Sequence, residues 1–485
     1  MERLQTATTS TPSMAWKPGM WRRRVFAPAP IRPTRIGWSL IGCSSRAWSG
    51  RSPSPVPTVP GAIVNGSPRR PPCGDRGDNR GGLEPGMQIA RLSLTNVRTF
   101  RRLDTPLERG ISVVTGPNGA GKTNLIEAIA LLATTRSRRA GADAEVISQD
   151  ALREEPLPAA TLRAEVVTAA EPVTVEIVVS SQEVRGREAA EERTLPPTSR
   201  RFRVDGVARR ASDLIGRLRV VMFSAADLQI IDGSPARRRR YLDITISQLD
   251  REYVRALQRY QRVLQQRNSL LRSLQERRAR PGDELAFWDH ELVAAGAVVL
   301  HGRASAVRAL AEGAARHYAD LAPGVEPLAV CYEPSLPAPA AAPVLDAGGV
   351  EGVEAVFREV IEARRRDDLV AGMTRSGPHR DNMRFEIAGN DAAAFASRGQ
   401  QRTAGLALRL AEVALSRDRT GDAPLLLLDD ILSELDEERR ERVLAAAYGV
   451  DQVLITSADE DRPSASDLPG ARRFRIEDGE LRPAS

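Results

Sequence analysis

The feature that most constrains this chain is a glycine-rich segment at residues 116–123, which fits the pattern G-x-x-x-x-G-K-[ST] of a phosphate-binding loop. A short β-type run at 111–114 precedes this segment, and a helical run at 125–132 follows it. Glycines allow successive backbone N–H groups to turn towards an anion, and the N-terminus of the next helix adds positive potential. The sequence therefore predicts a strand, a phosphate-binding loop and a helix in that order.

Two side chains of the loop have predicted roles. Lys122 is expected to reach the β- and γ-phosphates of a nucleotide, and Thr123 is expected to ligate Mg²⁺. The chain has only two lysines, Lys17 and Lys122, among its 70 basic residues. A compact ammonium fits a tight anion nest that a planar guanidinium does not fit, which explains the lysine at position 122. The predicted nucleotide-binding residues of the loop are Gly116, Pro117, Asn118, Gly119, Ala120, Gly121, Lys122, Thr123 and Asn124.

A second constellation is the apolar run 425–428, which is followed by Asp429 and Asp430. A buried parallel strand of this kind delivers both carboxylates to the sheet edge at which the phosphate-binding loop also lies. We expect Asp429 to help hold Mg²⁺ beside Thr123. Asp430 occupies the position of the catalytic carboxylate, where many ATPases of this class have a glutamate. Because an aspartate is one methylene shorter, we predict slow ATP hydrolysis.

A third constellation lies directly before a predicted helix and contains Ser397, Gly399 and Gln400. Serine and glycine at a helix N-terminus form a turn that can bind an anion. The same residues also suit an ordinary helix N-cap. From the residues alone, both interpretations stay open.

Basic residues are unevenly distributed along the chain, whose formal net charge is +7. Residues 1–86 contain 13 basic and 4 acidic residues, which leaves 57 basic and 59 acidic residues at 87–485. Any DNA contact made by the main body must therefore use local arginine clusters rather than a global field. The candidate positions are Arg136, Arg138, Arg139, Arg237, Arg238, Arg239 and Arg240.

Composition also indicates the cellular compartment and the position at which the folded part of the chain begins. Cys43, Cys73 and Cys331 provide neither a disulfide framework nor a zinc-binding spacing, which favours the reducing cytoplasm. Residues 1–86 are rich in Pro, Arg, Ser and Gly and lack a sustained period, so we expect no fold there. We interpret Met87 as the start of the functional protein.

Beyond Met87, α/β segments flank a long helical segment. Strands are predicted at 88–97, 111–115, 161–167, 173–180, 201–207, 218–223, 424–430 and 452–456, with a hairpin at 472–481. Two helices joined by a Pro-Gly turn are predicted within 234–322, and a connector at 333–352 leads to helices at 353–369, 404–416 and 437–447. The predicted organisation is an unfolded leader at 1–86, an N-terminal part of a head at 87–230, a helical insertion lobe at 231–369 and a C-terminal part of the head at 370–485.

Several runs resemble the RecF family of bacterial recombinational repair proteins. The similar runs are 91–98, 116–124, 223–228, 233–235, 238–243, 265–271, 377–381, 397–400 and 429–436. The match extends from residue 87 to about residue 482 and includes runs that are not general ATPase motifs. Asn382 departs from the family pattern, in which a second acid is common, and the leader has no counterpart.

The resemblance implies a fold class, ligands and partners. The fold class is α/β, an ABC-type P-loop ATPase head with a mixed sheet and flanking helices, interrupted by a helical lobe with a short antiparallel coiled coil. The ligands are ATP and Mg²⁺, with Ser397, Gly399 and Gln400 capping the γ-phosphate of ATP held by a second subunit. The resemblance implies an ATP-dependent homodimer that binds single-stranded and double-stranded DNA at gaps. It further implies that the dimer helps RecO and RecR to load RecA and is released by weak, DNA-dependent ATP hydrolysis.

The resemblance also suggests roles for further positions. Residues 433–436 would cross the dimer interface, and Gln229 is a candidate for the glutamine that approaches the nucleotide. Thr456 and Ser457 stand where transporter ATPases place a switch histidine, which again favours slow hydrolysis. His379, within a Gly-Pro-His-Arg-Asp run, is either a structural hydrogen-bond partner or a residue near nucleotide or DNA.

Two other classes of protein share parts of this pattern. A transporter ATPase subunit is disfavoured by the long insertion between Lys122 and Ser397 and by the missing switch histidine. An SMC-type structural protein is disfavoured because a helix of about 40 residues spans only roughly 60 Å, far less than an SMC arm.

Overall fold

The computed structural model describes residues 86–137, 143–181, 198–277, 282–324, 326–346, 348–459 and 468–484. The chain divides into two units, 1–79 and 80–485, and every described residue belongs to the second. The predicted leader therefore lies outside the described residues, apart from Gly86. The predicted boundaries at 231 and 370 stay predictions.

The described elements follow one another in the order β1–β3, α1–α2, β4–β7, α3, β8, α4–α7, β9, α8–α9, β10–β11, α10–α11, β12, α12 and β13–β15. The strands are β1 (Gln88–Val97), β2 (Phe100–Pro106), β3 (Gly110–Thr115), β4 (Ala159–Val167), β5 (Val173–Ser181), β6 (Thr198–Val204), β7 (Val207–Arg209), β8 (Val220–Ser224), β9 (Leu328–Glu333), β10 (Asn382–Ile387), β11 (Asn390–Asp391), β12 (Leu425–Asp429), β13 (Gln452–Ser457), β14 (Arg472–Glu477) and β15 (Glu480–Pro483). The helices are α1 (Lys122–Thr134), α2 (Gln149–Glu154), α3 (Ala211–Leu214), α4 (Leu228–Ile231), α5 (Pro235–Leu249), α6 (Arg251–Arg277), α7 (Asp283–Leu321), α8 (Ala338–Leu345), α9 (Gly349–Ala371), α10 (Ala392–Phe395), α11 (Arg398–Thr420) and α12 (Glu437–Ala447).

The central sheet has the strand order β15-β14-β3-β13-β12-β8, and its pairs are parallel except for the closing hairpin β14–β15. Strand β12 is buried on both faces, with Leu426 and Leu428 in one core and Leu425 and Leu427 in the other. This explains its uninterrupted run of leucines. Because the strands are parallel, the carboxyl ends of β3, β12 and β13 meet at one sheet edge.

A six-stranded antiparallel sheet, β2-β1-β4-β5-β6-β7, covers one side of the central sheet through the core that includes α1. The strands predicted at 161–167 and 173–180 belong to it as β4 and β5. The run predicted as one strand at 201–207 is divided by a turn at Asp205 and Gly206, which joins β6 to β7. Strands β1 and β2 also belong to this sheet, and β2 was not predicted. The strands predicted at 88–97 and 111–115 are both present as β1 and β3, and they lie in different sheets.

A helical layer covers the other side of the central sheet, and most of its core comes from α5, α6, α7, α9 and α11. Helices α6 and α7 run antiparallel, because Tyr253 contacts Arg303 while Arg267, further along α6, contacts Asp289, near the start of α7. The predicted antiparallel pair is present as α6 and α7, but the first predicted helix is divided at Asp250, so that Pro235–Leu249 forms the separate helix α5. The connector predicted at 333–352 contains α8, and the three-stranded sheet β11-β10-β9 was missed.

Within the described residues, no helix is both long enough and apolar enough to cross a membrane.

Candidate nucleotide site and adjoining arginine groove

The predicted phosphate-binding loop joins β3 to α1 and needs glycine at two positions for reasons of space. Gly116 has a φ of 150°, and a Cβ atom there would lie 2.6 Å from the Ile476 carbonyl oxygen. Gly121 has a φ of 112°, and its Cβ would lie 2.4 Å from the Thr99 hydroxyl. Both glycines therefore allow the loop to pass close to segments that are distant in sequence.

Lys122 is buried, with 7% of its surface exposed, and its ammonium group points back into the loop. Its Nζ atom donates hydrogen bonds to the carbonyl oxygens of Gly116 at 2.6 Å and Pro117 at 3.0 Å. Burial lowers the pKa of Lys122, and the nearby carboxylates of Asp430 and Asp429 oppose that shift. A cation held in this way lacks a full counter-charge, which suits it to an incoming phosphate.

Thr123 and Asp429, both predicted as metal ligands, are brought into direct contact. The Thr123 hydroxyl donates to Asp429 Oδ1 at 3.1 Å, and the Thr456 hydroxyl lies 3.0 Å from the same oxygen. Hard oxygen ligands of this type suit Mg²⁺, which typically takes only one or two protein groups and completes its shell with water and phosphate oxygens. The residues present therefore fit a Mg²⁺–nucleotide complex.

Asp430, the predicted catalytic carboxylate, has an unusual backbone. Its φ of 53° lies in the left-handed region, which aspartate tolerates better than most residues. Its N–H points to the Thr456 carbonyl and hydroxyl oxygens, both at 3.2 Å. The Ser433 hydroxyl donates to the Asp430 carbonyl oxygen at 2.9 Å. Hydrogen bonds to Thr456 and Ser433 therefore hold the turn at Asp430 in place.

A cavity of about 520 Å³ opens beside these carboxylates and is called the metal-side cavity here. Its walls include Thr123, Asp429, Asp430, Gln229 and Arg237. The candidate Gln229 thus lies on the cavity that contains the predicted metal ligands. Sequence reasoning assigned no role to Thr456 as a partner of Asp429, because the hydroxyl becomes relevant only when β12 and β13 pair.

A second cavity, of about 910 Å³, lies on the other side of the loop and is called the acidic cavity here. The loop residues Pro117, Gly119, Ala120 and Asn124 form one wall, and the Asn124 amide donates to the Thr99 hydroxyl at 3.2 Å. Its other lining residues include the apolar Ile147 and Leu152, the acidic Glu145, Asp150, Glu477 and Asp478, and the basic Arg98. An apolar floor with an acidic rim therefore adjoins the phosphate-binding loop, while Asn118 is exposed beside it.

Ser397 and Gln400 form a capping box at the start of α11. Ser397 Oγ accepts from the Gln400 N–H at 3.2 Å, and Gln400 Oε1 accepts from the Ser397 N–H at 2.8 Å. In the described part of the chain, these bonds stay within the first helical turn. Gly399 differs, since a Cβ there would meet only Ser397 Oγ at 3.9 Å. Packing against the residues that the structure describes does not require glycine at that position.

A third cavity, of about 710 Å³, lies between the antiparallel sheet and helices α5 and α6 and is called the arginine groove here. It brings together two of the predicted arginine clusters, because Arg240 donates to the Ser137 carbonyl oxygen at 2.8 Å and both Arg136 and Arg239 line the groove. Arg240 also lines the metal-side cavity. The arginine groove and the metal-side cavity therefore share a wall.

Arg238 is not available for phosphate contact, contrary to its candidate role. It is buried and donates to the carbonyl oxygens of Ile230 at 2.9 Å and Ile231 at 2.7 Å and to the Asn382 amide oxygen at 3.1 Å. Its position on the inner face of α5 explains the difference from its neighbours. Arg138 and Arg139 lie outside the described residues.

His379 lines the arginine groove but is committed to the fold. Its Nε2 atom lies 3.1 Å from the Thr374 carbonyl oxygen, so Nε2 bears the proton and Nδ1 accepts from the Tyr260 hydroxyl at 2.7 Å. Burial lowers the pKa of His379 to about 4. The structural interpretation of this histidine is the one its contacts favour.

A phosphate-binding loop, a parallel strand ending in paired aspartates, and a helical segment inserted between them define an ABC-type P-loop ATPase head. The model of the RecF/RecN/SMC N-terminal domain matches residues 88–468, and the chain belongs to the RecF family of DNA replication and repair proteins.

Relatives with this description match about four fifths of this chain and almost all of their own length. The RecF protein of Roseiflexus castenholzii is 45% identical over 406 residues, which span 82% of this chain and 100% of the relative. That of Chloroflexus aurantiacus is 44% identical over 401 residues, or 81% and 99% of the two chains. The predicted family resemblance is confirmed.

Solved structures agree with the fold. A structure described as the recombination mediator protein RecF-ATPrS in the RecFOR pathway matches with a TM-score of 0.70 and 28% identity, covering 83% of this chain and 99% of that one. A second, described as RecF-ATP, matches with a TM-score of 0.71 and 27% identity, covering 84% and 100%. The predicted fold class is confirmed.

Proposed function

We propose that this chain is an ATP-gated DNA-binding protein of recombinational repair and replication. ATP binding brings two copies together, the dimer binds DNA, and slow hydrolysis releases it. The observation that supports this most directly is the 3.1 Å contact between Thr123 and Asp429 beside the buried Lys122. The two related structures described with ATP or ATPrS support nucleotide binding by this chain.

Each end of the nucleotide has its own surroundings. The loop N–H groups and Lys122 bind the β- and γ-phosphates, while the nucleoside extends into the acidic cavity, whose carboxylates accept hydrogen bonds from ribose hydroxyls or a base amino group. Thr123 and Asp429 hold Mg²⁺, which neutralises phosphate charge when it is bound. Thr456 orients Asp429 for this purpose.

Hydrolysis is slow because Asp430 must act from a short side chain on a left-handed backbone. Its carboxylate orients the attacking water and accepts hydrogen bonds from it. Thr456 and Ser457 provide no imidazole at the position of a switch histidine. The resulting weak, DNA-dependent ATPase activity sets how long the dimer stays on DNA and does not drive mechanical work.

The dimer completes the site. Ser397, Gly399 and Gln400 at the start of α11 cap the γ-phosphate of ATP bound to the second copy, with residues 433–436 crossing the interface. The open space beside Gly399 supports this, because it leaves room for close approach by a group from outside the chain. In the absence of ATP the capping box satisfies the same helix terminus.

The arginine groove binds the DNA backbone. Arg136 and Arg240 are exposed on it. Because Arg240 also lines the metal-side cavity, it provides a route by which the bound nucleotide changes DNA affinity.

Single-stranded and double-stranded DNA at gaps are the proposed ligands. RecO and RecR are the proposed partners, RecA loading is the proposed outcome, and the cytoplasm is the proposed compartment.

Sedimentation equilibrium with and without ATP tests the proposal. Wild-type protein is expected to be a monomer alone and a dimer with ATP and Mg²⁺, whereas Lys122→Ala stays monomeric. Arg101→Ala, which changes a 77% exposed side chain on β2, provides a control that dimerises like wild type. A wild-type protein that remains monomeric at saturating ATP would refute the dimer switch.

A further inference from the structure

An exposed aromatic side chain lies next to the proposed γ-phosphate cap. Phe395, the last residue of α10, is 76% exposed and precedes Ser397 by two positions. Arg398 follows the cap residue, and its side chain is 78% exposed although it pairs with Asp232 at 2.7 Å. Among the described residues, Phe395 belongs to neither hydrophobic core, whereas its neighbour Ala396 packs against one of them.

The acidic cavity is complementary in polarity and charge to Phe395 and Arg398. Its floor includes Ile147 and Leu152, and its rim includes Asp150 and Asp478, both exposed. An apolar floor with an acidic rim matches an aromatic ring next to a guanidinium. Phe395 and Arg398 lie beside the cap, and the acidic cavity lies beside the phosphate-binding loop. The proposed dimer brings the cap of one copy to the phosphate-binding loop of the other.

We propose that Phe395 of one copy packs over the acidic cavity of a second copy and closes it over the bound nucleoside, while Arg398 faces the acidic rim. The contact rests on the proposed function, because it forms only in the ATP-bound dimer. Under two-fold symmetry the same contact occurs twice, so each nucleotide is covered by a phenylalanine from the opposite copy. Phe395 is thus an interface residue that senses whether a nucleoside fills the cavity.

Substitution of Phe395 is expected to weaken the dimer without weakening nucleotide binding to one chain. Phe395→Ala should raise the dimer dissociation constant in ATP by roughly tenfold or more, since the substitution removes two large apolar side chains from the interface. Binding of a fluorescent ATP analogue to dilute, monomeric protein should not change. Phe395→Trp should restore dimerisation.

Val370→Ala is the matched control, because Val370 is 73% exposed and belongs to α9 rather than to the segment at the cap. It should dimerise like wild type. If Phe395→Ala dimerises as tightly as Val370→Ala while wild type shows an ATP-dependent dimer, the contact is refuted and the proposed function stands.

Cross-linking locates the contact directly. Two chains are prepared with the three native cysteines changed to serine, one with Phe395→Cys and the other with Asp478→Cys. A short bis-maleimide should join them only when they are mixed and only with ATP. An ATP-dependent dimer without this cross-link overturns the contact alone, whereas a wild type that does not dimerise overturns the proposed function and the contact together.

Discussion

Arg409 and Asp227 form a buried ion pair that ties α11 to the segment after β8. An Arg409 amino group donates to Asp227 Oδ1 at 2.6 Å, and the other side of the guanidinium pairs with Glu412 at 2.7 Å. The guanidinium also lies over the Tyr241 ring, 4.8 Å from its centroid. The second Asp227 oxygen accepts from the Ser224 N–H at 2.9 Å. The ion pair therefore connects α11, whose N-cap is Ser397, to Asp227 in the wall of the metal-side cavity.

Removal of Asp227 is expected to destabilise the protein strongly. Asp227→Ala leaves Arg409 buried with a single partner, and breaking a buried pair in this way costs about 3–5 kcal/mol of unfolding free energy. The exposed Asp104→Ala, which breaks the surface pair with Arg91 at 2.5 Å, should cost less than about 1 kcal/mol. Urea unfolding of both variants makes the comparison.

A double variant distinguishes two effects of losing Asp227: the buried, unpaired charge of Arg409 and the loss of the link between α11 and the segment after β8. Asp227→Leu combined with Arg409→Met replaces the pair by apolar side chains and should recover much of the stability. ATP-dependent dimerisation of this double variant should be weaker than that of wild type, because the ion pair no longer connects α11 to the segment after β8. A double variant that is stable and dimerises normally would show that the pair does not couple the two elements.

Removal of the Lys122 charge is expected to separate stability from nucleotide binding. Burial lowers the pKa of Lys122, so the folded apo protein holds its cation at a cost. Lys122→Met should therefore leave the unfolding free energy of the apo protein unchanged or raise it, while ATP no longer stabilises the fold. Thermal unfolding with and without ATP measures both effects, and a large decrease in stability without ATP would contradict the assignment.

The parts of this site that sequence analysis predicted are those encoded within one short run. Lys122, Thr123 and Asp429 belong to motifs in which spacing alone predicts the chemistry, and β12 is recognisable from its leucines. Thr456, Thr99 and Tyr260 were not predicted as partners, because each acquires its role from a segment that folding brings close. Tyr260 and His379, for example, are separated by 119 positions. Strand β2 was missed because its exposed arginines obscure the alternation of buried residues.

Thr456 is expected to affect hydrolysis more than binding. Thr456→Val keeps the shape of the side chain but removes the hydroxyl that lies 3.0 Å from Asp429 and accepts from the Asp430 N–H. Removal of such an orienting group typically lowers metal affinity or activity by about 10–100-fold. Phosphate release should fall accordingly, whereas the ATP-dependent dimer persists at high Mg²⁺. Thr456→Ser should retain hydrolysis, and an equal decrease in both variants would point to packing instead.

His379 is expected to make the fold sensitive to acid. Its pKa is about 4 in the folded chain against an ordinary value of 6.5, so between these pH values the unfolded chain binds more protons than the folded one. Stability should therefore fall as the pH drops from 6.5 towards 4, by up to about 3 kcal/mol. His379→Gln should flatten this part of the profile, while His290→Gln, at an exposed position, should not. Superimposable profiles for all three proteins would contradict the burial of a neutral imidazole.

If the arginine groove binds the DNA backbone, its exposed arginines should determine how DNA affinity depends on salt concentration. Arg136→Ala and Arg240→Ala each remove one exposed cation, so DNA affinity in the presence of ATP should fall. The slope of log affinity against log salt should shrink by about 1 for each phosphate that the variant no longer neutralises. Arg101→Ala, on β2, should leave both the affinity and the slope unchanged.

The double variant Arg138→Ala with Arg139→Ala tests the adjoining positions in the same way. Arg240 should differ from Arg136 in one respect, because it also borders the metal-side cavity. Its removal should reduce the difference in DNA affinity between the ATP-bound and ATP-free protein, whereas removal of Arg136 should weaken both states alike. Equal ATP dependence in the two variants would show that the groove binds DNA without communicating through Arg240.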